Sequence, residues 1–201
     1  LHSLWERTMY AGDASVYEIL PTCVVIPQDK DDVIKVVQYC RENGIPITPR
    51  GGGSGLAGQS IGEGVVIDFT KHMNKILEVN PQEGYVIVQP GVYKSVLDAD
   101  LKRFGKFLPP DPSSSEQCTI GGMISTNASG PHTFKYGSII DYVISLSMIL
   151  SNGDVLRTKP VLLDDPEWQD LSSDNSFESE IYAGIRSIIE PNMNLLMSNL
   201  P

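Results

Sequence analysis

The sequence lacks the features that mark several common classes of protein. Its 201 residues include only three cysteines, Cys23, Cys40 and Cys118, and no C-x-x-C pair. Neither a disulfide framework nor a zinc site is therefore expected, and no metal site is predicted. No apolar run approaches the roughly 18 residues that span a membrane, and no signal-peptide pattern opens the chain. We expect reduced thiols in a cytoplasmic protein without a transmembrane segment.

Positive charge is scarce as well. Lysine and arginine number 15 against 25 aspartates and glutamates, which gives a net charge of -10. An acidic chain of this kind is a poor partner for nucleic acid or for an anionic membrane. It also has few cations for a bound phosphate group, so a phosphate site would depend on backbone N–H groups.

What remains is the composition of an ordinary folded protein, with 41% hydrophobic and 20% charged residues. Short β-branched or alternating runs predict strands at residues 23–27, 45–50, 64–69, 75–80 and 85–91, and a hairpin around the turn Asn152-Gly153. Apolar residues at helical spacing predict helices over 29–44, 93–105 and 177–196. The second of these helices is expected to bury Val96, Leu97, Leu101 and Phe104 on one face.

The stretch PRGGGSGLAG, residues 49–58, contains a literal G-x-G-x-x-G. In the Rossmann fingerprint that pattern opens a helix, whose N-terminus holds a pyrophosphate. Here Gly62 and Gly64 break any helix, and a predicted strand begins at Val65. The unit is strand–loop–strand, and the Rossmann fold is therefore excluded.

The same glycines can form a different kind of phosphate site. Successive glycines reach positive φ and lack a Cβ, so their N–H groups can converge on an anion. Arg50 stands directly before them and supplies a cation. A flexible linker or a tight hairpin is the alternative, but the position between two apolar strands favours the anion site.

A second unusual stretch runs from Leu108 to Gly137 and is rich in proline, serine and glycine. An ordered loop of about thirty residues is more often functional than filler. The pair Gly121-Gly122 would let the backbone approach a flat ring closely. An Ω-loop packed by its own side chains is an alternative. The residues alone favour neither this Ω-loop nor the ligand-binding segment clearly. Donors and acceptors for polyol hydroxyls or ring edges are available from Asp111, Ser113, Ser114, Thr119, Ser125, Thr126 and Asn127.

Five motifs, in order, carry a resemblance to a known family. They are PRGGGSGLAG, VVIDFTKHMNKILEVN, VQPGV, PPDPSSSEQCTIGGMISTNASGPHTFKYG and LSNGDVL. Between about Leu20 and Thr158 the chain resembles the PCMH-type FAD-binding domain of the vanillyl-alcohol oxidase / p-cresol methylhydroxylase superfamily. Within that superfamily it is most similar to the group of FAD-linked oxidases that contains glycolate oxidase, D-lactate dehydrogenase and D-2-hydroxyglutarate dehydrogenase.

The resemblance implies an α+β fold of two subdomains with FAD between them. It divides the chain into a lead-in at 1–19, an FAD-binding domain at 20–160, and a linker with a C-terminal helix at 161–201. The first subdomain is expected at about 20–80 and the second at 81–160. The chain is expected to end before the substrate-cap domain of the family.

Matched to the family's motifs, two segments are expected to hold FAD. The glycine loop corresponds to the pyrophosphate loop, and the later segment to the stretch along the flavin and the ribityl chain. Some relatives attach FAD covalently through a histidine of the glycine loop. Ser54 stands at that position here, so FAD is expected to bind without a covalent link. The implied contacts are Arg50, Gly51, Gly52, Gly53, Ser54, Gly55, Leu56, Asp111, Pro112, Ser113, Ser114, Thr119, Gly121, Gly122, Ser125, Thr126, Asn127 and Ala128.

Two histidines and a cysteine lie near these motifs. His72 follows a predicted strand and is expected on the surface. His132 lies in a stretch that the family places near the flavin, although packing or capping of the loop explains it at least as well. Cys118 is expected to be a small buried residue.

The resemblance implies an FAD-linked dehydrogenase that oxidises a D-2-hydroxy acid by hydride transfer to the flavin. Electrons would then pass to an iron–sulfur module or a quinone, and such a partner could bring the protein to a membrane surface. No cysteine cluster occurs here, so that module is expected beyond Pro201 or on a partner. In the family, the residues that position the substrate and supply the catalytic base also lie largely after the FAD domain. No catalytic residue is therefore assigned, and the chain alone is expected to be inactive.

Two alternatives stay open. One is an NADPH-dependent flavoenzyme like UDP-N-acetylenolpyruvoylglucosamine reductase, which has a related glycine-rich loop. The Pro-Asp-Pro-Ser segment and the motif CTIGG weigh against it. The other is a non-catalytic protein that uses the scaffold only for assembly. Intact glycines in both segments weigh against that alternative, and absence of bound flavin would favour it.

Overall fold

The described part of the chain folds into two units. The computed structural model describes residues 1–161, 171 and 176–199, so most of the predicted linker lies outside the described residues. The predicted division of the FAD-binding domain at residue 80 stays a prediction. One unit takes Leu1–Val143 with Ser151–Gly153, and the other takes Ile144–Leu150 with the chain from Asp154 onward.

The elements are short, as the many glycines and prolines lead one to expect. The strands are β1 (Cys23–Val25), β2 (Ile47–Arg50), β3 (Val65–Asp68), β4 (Ile76–Asn80), β5 (Tyr85–Val88), β6 (Ser147–Ile149) and β7 (Val155–Arg157). The α-helices are α1 (Leu4–Thr8), α2 (Lys30–Glu42), α3 (Lys94–Leu101), α4 (Ile120–Ser125), α5 (Thr133–Tyr136), α6 (Phe177–Ile189) and α7 (Met193–Asn199). Short 3-10 helices lie at Lys102–Phe104, Ile139–Tyr142 and Glu190–Asn192.

A parallel sheet in the order β1-β3-β2 carries the glycine loop. Its central strand β3 is buried along its whole length, as expected of a strand with a neighbour on each side. Helix α2 connects β1 to β2, begins where the Asp29 carboxylate accepts two backbone N–H bonds, and buries Val33, Val37 and Cys40. Between β2 and β3 the chain forms no helix. The predicted strand–loop–strand unit is confirmed, and the fold is not Rossmann-like.

The antiparallel pair β4–β5 and helix α3 form the next part of the first unit. Leu97 and Leu101 of α3 are buried as predicted, but Val96 is 54% and Phe104 43% exposed. Val96 lies about 100° around the helix from Leu97, which takes it off the buried face. Phe104 follows the change to a 3-10 helix, whose tighter winding moves it out of line with Leu101.

The long segment after Leu108 is more regular than its composition predicts. It contains α4 and α5, which have six and four residues. Helices of one turn or little more are too short to show an apolar period in the sequence. Together with α3 the segment closes one hydrophobic cluster of buried residues, made by Val92, Leu97, Leu101, Cys118, Ile120, Met123 and Ile139.

The second unit contains the hairpin β6–β7 and the C-terminal helices. Ile149 pairs with Val155, so the connection has five residues rather than the tight turn that Asn152-Gly153 predicts. Tyr182 of α6 packs in one cluster with Leu156 of β7. The predicted helix 177–196 is present but interrupted at Pro191, which has no N–H to donate. No helix among the described residues is long and apolar enough to cross a membrane.

Candidate functional site

The glycine loop follows β2 and offers several unbonded backbone donors. Gly53 has a φ of +64°, a left-handed conformation that strongly favours glycine. Within the described residues, the N–H groups of Gly52, Gly53, Ser54 and Gly55 donate to no protein acceptor. Unbonded N–H groups at consecutive residues, one of them at positive φ, are what an anion-binding loop requires.

The guanidinium of Arg50 is bonded to the protein. It donates to the carbonyl oxygens of Gly12 at 2.9 Å and Ser60 at 3.2 Å, with a longer contact of 3.5 Å to that of Tyr10. It also lies 5.4 Å from the centre of the Tyr10 ring. A Cβ on Gly53 would lie 2.7 Å from Nη2 of Arg50. The guanidinium therefore lies against the loop and ties it to other backbone segments.

A second contact joins the glycine loop to the segment around Thr119. A Cβ on Gly51 would overlap Oγ1 of Thr119, and a Cβ on Gly52 would overlap the carbonyl oxygen of Gln117. Only glycine permits so close an approach. The structure thus brings together the two segments that the sequence analysis assigned to one ligand.

Thr119 organises the start of α4. Its side chain is buried, with 1% exposure, and its hydroxyl oxygen accepts the N–H of Gly122 at 3.3 Å as the N-cap of the helix. Gly121 lies against the backbone at Pro90, to whose carbonyl it donates at 2.9 Å. At Gly121, therefore, the protein's own backbone occupies the space that the absence of a side chain leaves.

The loop around Asp111 is joined to the segment around His132 by a hydrogen bond between their side chains. Nδ1 of His132 donates to Oδ2 of Asp111, and the hydrogen bond lowers the pKa of that carboxyl below its ordinary range. Gly130 packs directly on the carbonyl of Asp111. A capping role for His132 could be predicted from the sequence, but its partner could not, because the two residues are 21 positions apart.

The serines after Asp111 form tight turns. Ser115 donates to the carbonyl of Pro112 at 2.9 Å, and Cys118 donates to that of Ser114 at 2.7 Å. Ser113 is exposed, whereas Ser114 is half-buried. Cys118 is buried as predicted, and burial raises the pKa of its thiol.

The polar residues after α4 are bonded mainly to their own backbone. The hydroxyls of Ser125 and Thr126 donate to the carbonyls of Gly121 at 2.9 Å and Gly122 at 3.0 Å. Asn127 has a φ of +46° and accepts the N–H of Ile140 at 3.2 Å. These three side chains are exposed and Ala128 beside them is half-buried, as are Ser54 and Gly55 in the glycine loop, while Leu56 is 79% exposed.

Residues 10–18, which no sequence pattern assigned to the site, contact the glycine loop. The N–H of Ala14 donates to the carbonyl of Gly53 at 2.9 Å, and Tyr17 packs on Gly58. Asp13 accepts from the hydroxyl of Ser60 at 2.9 Å. A turn formed by Asp13 and Ser15 is visible in the sequence as an Asp-x-Ser pattern, but its distant partner is not.

The remaining histidines, cysteines and carboxylates of the described chain form no metal-binding cluster. No group of three His, Cys, Asp or Glu side chains there could hold a metal ion. His72 is exposed, as predicted. The three cysteines are free thiols, of which Cys40 and Cys118 are buried.

Comparisons with known proteins identify a domain family and several relatives. The family model of an FAD binding domain matches residues 21–159. D-2-hydroxyglutarate dehydrogenase of Escherichia coli (strain K12) is 37% identical over 199 residues, 98% of this chain and 19% of that protein. Glycolate oxidase subunit GlcD of Bacillus subtilis (strain 168) is 39% identical over 168 residues, 83% of this chain and 36% of that protein.

A solved structure has the same fold. An alkyldihydroxyacetonephosphate synthase matches with a TM-score of 0.70 and 27% identity, over 79% of this chain and 32% of that one. The chain thus spans between 19% and 36% of the length of these three relatives.

Proposed function

We propose, from the premise that this chain belongs to the FAD binding domain family, that its glycine loop holds the pyrophosphate of FAD in a D-2-hydroxy acid dehydrogenase. FAD is the cofactor of this domain. The observation that carries the proposal is the set of unbonded N–H groups from Gly52 to Gly55. In a chain with a net charge of -10, those dipoles are the donors best suited to a diphosphate.

The packing of the glycine loop on the segment around Thr119 supports one continuous site. We assign the loop to the pyrophosphate and the later segment to the isoalloxazine and ribityl parts of the cofactor. Asp111, Pro112, Ser113 and Ser114 would border the ring from one loop. Gly121, Gly122, Ser125, Thr126, Asn127 and Ala128 would follow the ribityl chain.

The two segments would bind in different ways. At the glycine loop, backbone N–H groups would contact the phosphates directly. At Ser125 and Thr126 the hydroxyl protons are already donated to carbonyls, so only the oxygen lone pairs would be offered to the ligand. Arg50 would act by holding the loop, because both of its terminal nitrogens, Nη1 and Nη2, donate to carbonyl oxygens of the protein.

Binding is proposed to be non-covalent, since Ser54 occupies the position at which some relatives carry a histidine. Acid precipitation of the FAD-loaded chain should release all of the yellow colour into the supernatant. Colour that stays with the pellet would contradict this assignment.

The substrate class follows from the relatives, which act on D-2-hydroxyglutarate and glycolate by name. Bound FAD supplies the acceptor for a hydride from the carbon that carries the substrate hydroxyl. The chain's own residues would bind and orient that cofactor. We further propose a cytoplasmic protein that passes electrons to an iron–sulfur module or a quinone.

The test is an anaerobic titration of the longest protein that the gene encodes. The flavin absorbance should bleach on addition of D-2-hydroxyglutarate, D-lactate or glycolate, and L-enantiomers serve as the control for the first two. Binding of FAD without bleaching by any 2-hydroxy acid would refute the substrate class. Failure to bind FAD at all would refute the cofactor site.

A further inference from the structure

We infer that residues 10–18 are part of the cofactor site, and that Arg50 acts as a positioning residue that locks the glycine loop to this segment. The inference rests on the proposed FAD site and extends it to residues that lie before the family match, which begins at residue 21. It assigns Arg50 a role in shaping the loop rather than in contacting phosphate.

Hydrogen bonds from the Arg50 side chain connect the glycine loop to the N-terminal segment. Its planar guanidinium donates in two directions, to Gly12 on one side and to Ser60 on the other. Gly12 belongs to the N-terminal segment, and Ser60 follows the glycine loop. One side chain thus connects the end of β2, the segment that precedes the domain and the far end of the loop. A lysine could keep the charge but not this forked set of donors.

A backbone hydrogen bond also joins the loop directly to the N-terminal segment. The carbonyl of Gly53 accepts the N–H of Ala14 at 2.9 Å. That bond fixes the peptide that follows Gly53, the residue with positive φ. Once the carbonyl of a peptide is held, the orientation of the N–H on the same peptide is set as well. The N–H of Ser54, which lies on that peptide, is one of the unbonded donors.

The segment itself is anchored by two buried or half-buried pairs. Tyr10 donates its hydroxyl to Asp68 at 2.7 Å, at the end of β3. Burial, together with this bond, raises the pKa of Tyr10, so it remains a donor throughout the neutral range. Asp13 accepts from Ser60 at 2.9 Å. Although burial raises the pKa of Asp13, hydrogen bonds from Ser15 and Ser60 lower it overall, which keeps the acceptor ionised.

The experiment compares two ligands that differ at the pyrophosphate. Riboflavin shares the ring and ribityl chain with FAD but lacks the phosphates. We measure both affinities by fluorescence titration for the unsubstituted chain, Arg50→Lys, Arg50→Gln and Tyr10→Phe. Arg103→Gln is the matched control, because Arg103 pairs with Asp100 and is 72% exposed. Thermal unfolding checks that each variant is folded.

If Arg50 positions the loop, both of its variants should weaken FAD binding about tenfold or more while riboflavin affinity changes about twofold at most. Arg50→Lys should bind FAD no more tightly than Arg50→Gln does. Tyr10→Phe, which keeps the ring but loses the bond to Asp68, should weaken FAD binding by a few-fold, and Arg103→Gln should not.

Three results would overturn the inference. Arg50→Lys with the affinity of the unsubstituted chain would mean that charge alone matters, as expected for direct phosphate contact. Equal losses for FAD and riboflavin would mean that the variants disturb the whole fold. If Arg50 variants do not fold, unchanged FAD binding by Tyr10→Phe would contradict the anchoring role of the segment. Failure of the unsubstituted chain to bind FAD would instead refute the proposed function.

Discussion

The glycine loop and the segment from Thr119 to Ala128 are both proposed to contact one ligand, yet they are built in opposite ways. The loop is fastened through carbonyls and the Arg50 side chain, and it leaves consecutive N–H groups unbonded. The later segment uses its N–H groups and hydroxyls to hold its own turns. The backbone site should therefore tolerate few changes of conformation, whereas the later segment should tolerate the loss of its exposed hydroxyls at Ser125 and Thr126.

The difference follows from the charge of the chain. With few cations, an acidic protein can hold a diphosphate by presenting many N–H dipoles from one rigid loop. The ring and the ribityl chain carry no charge, so their binding depends on shape and on weaker neutral hydrogen bonds. The following predictions test this contrast, from the largest expected effect to the smallest.

Gly53→Val should have the largest effect. The substitution forces a β-branched residue to a φ of +64° and places its Cβ 2.7 Å from Nη2 of Arg50. We expect the Kd for FAD to rise roughly a hundredfold or more. Gly44→Val is the control, because Gly44 has a φ of +63° and open space around it. Equal losses in both variants would show that backbone strain alone, and not the loop, is responsible.

Thr119→Val should have an intermediate effect. The variant keeps the shape of the side chain but loses the oxygen that caps α4 and lies against Gly51. We expect a loss of about 1 kcal/mol in the free energy of unfolding and a rise of about fivefold to tenfold in the Kd for FAD. Thr119→Ser, which keeps the oxygen, should retain most of the stability and most of the affinity for FAD. Titration measures the affinity for FAD, and chemical denaturation measures the stability. A Thr119→Val variant that binds FAD normally would contradict the placement of Thr119 in the FAD site.

The pair Asp111–His132 predicts a smaller effect that depends on pH. Because the pKa of Asp111 is lowered in the folded state, its stabilising contribution is fully present above the ordinary aspartate value, about 3.9, and is lost as pH falls through the lower, folded-state pKa. His132→Asn should therefore lower the unfolding midpoint at pH 7 and lower it by less at pH 3.

Circular dichroism melts across this range provide the measurement. His72→Asn, which changes an exposed histidine outside this pair, is the control and should shift the midpoint at neither pH. The pair is substantially exposed, so the difference should be modest. A gap between the unsubstituted chain and His132→Asn that stays constant down to pH 3 would contradict the assignment.

Ser125→Ala should have the smallest effect. Its hydroxyl is exposed and donates to the carbonyl of Gly121 in its own helix. Removing it leaves that carbonyl accessible to water, so we expect the Kd for FAD to change by no more than about twofold. A tenfold loss in the same titration would show that this hydroxyl contributes strongly to binding the ligand, and the contrast between the two segments would disappear.

Local sequence patterns predicted much of this fold. The strands before and after the glycine loop and helix α2 follow from β-branched runs and an acidic N-cap, whereas the α+β class follows from the family resemblance. Patterns failed where contacts join distant residues. The bonds from Arg50 to Gly12 and from Tyr10 to Asp68 span 38 and 58 positions. No periodicity carries such information, so the N-terminal part of the candidate site could not be predicted.

The central claim is that backbone N–H groups of the glycine loop contact the cofactor's pyrophosphate. The most direct test is an amide proton and nitrogen NMR titration of this 22.0 kDa chain with FAD, and with ADP as a ligand that carries the diphosphate without the flavin. We predict that the amide signals of Gly53, Ser54 and Gly55 shift with both ligands and that those of Ser125 and Thr126 shift with FAD only. Loop signals that do not move when FAD binds would contradict the account.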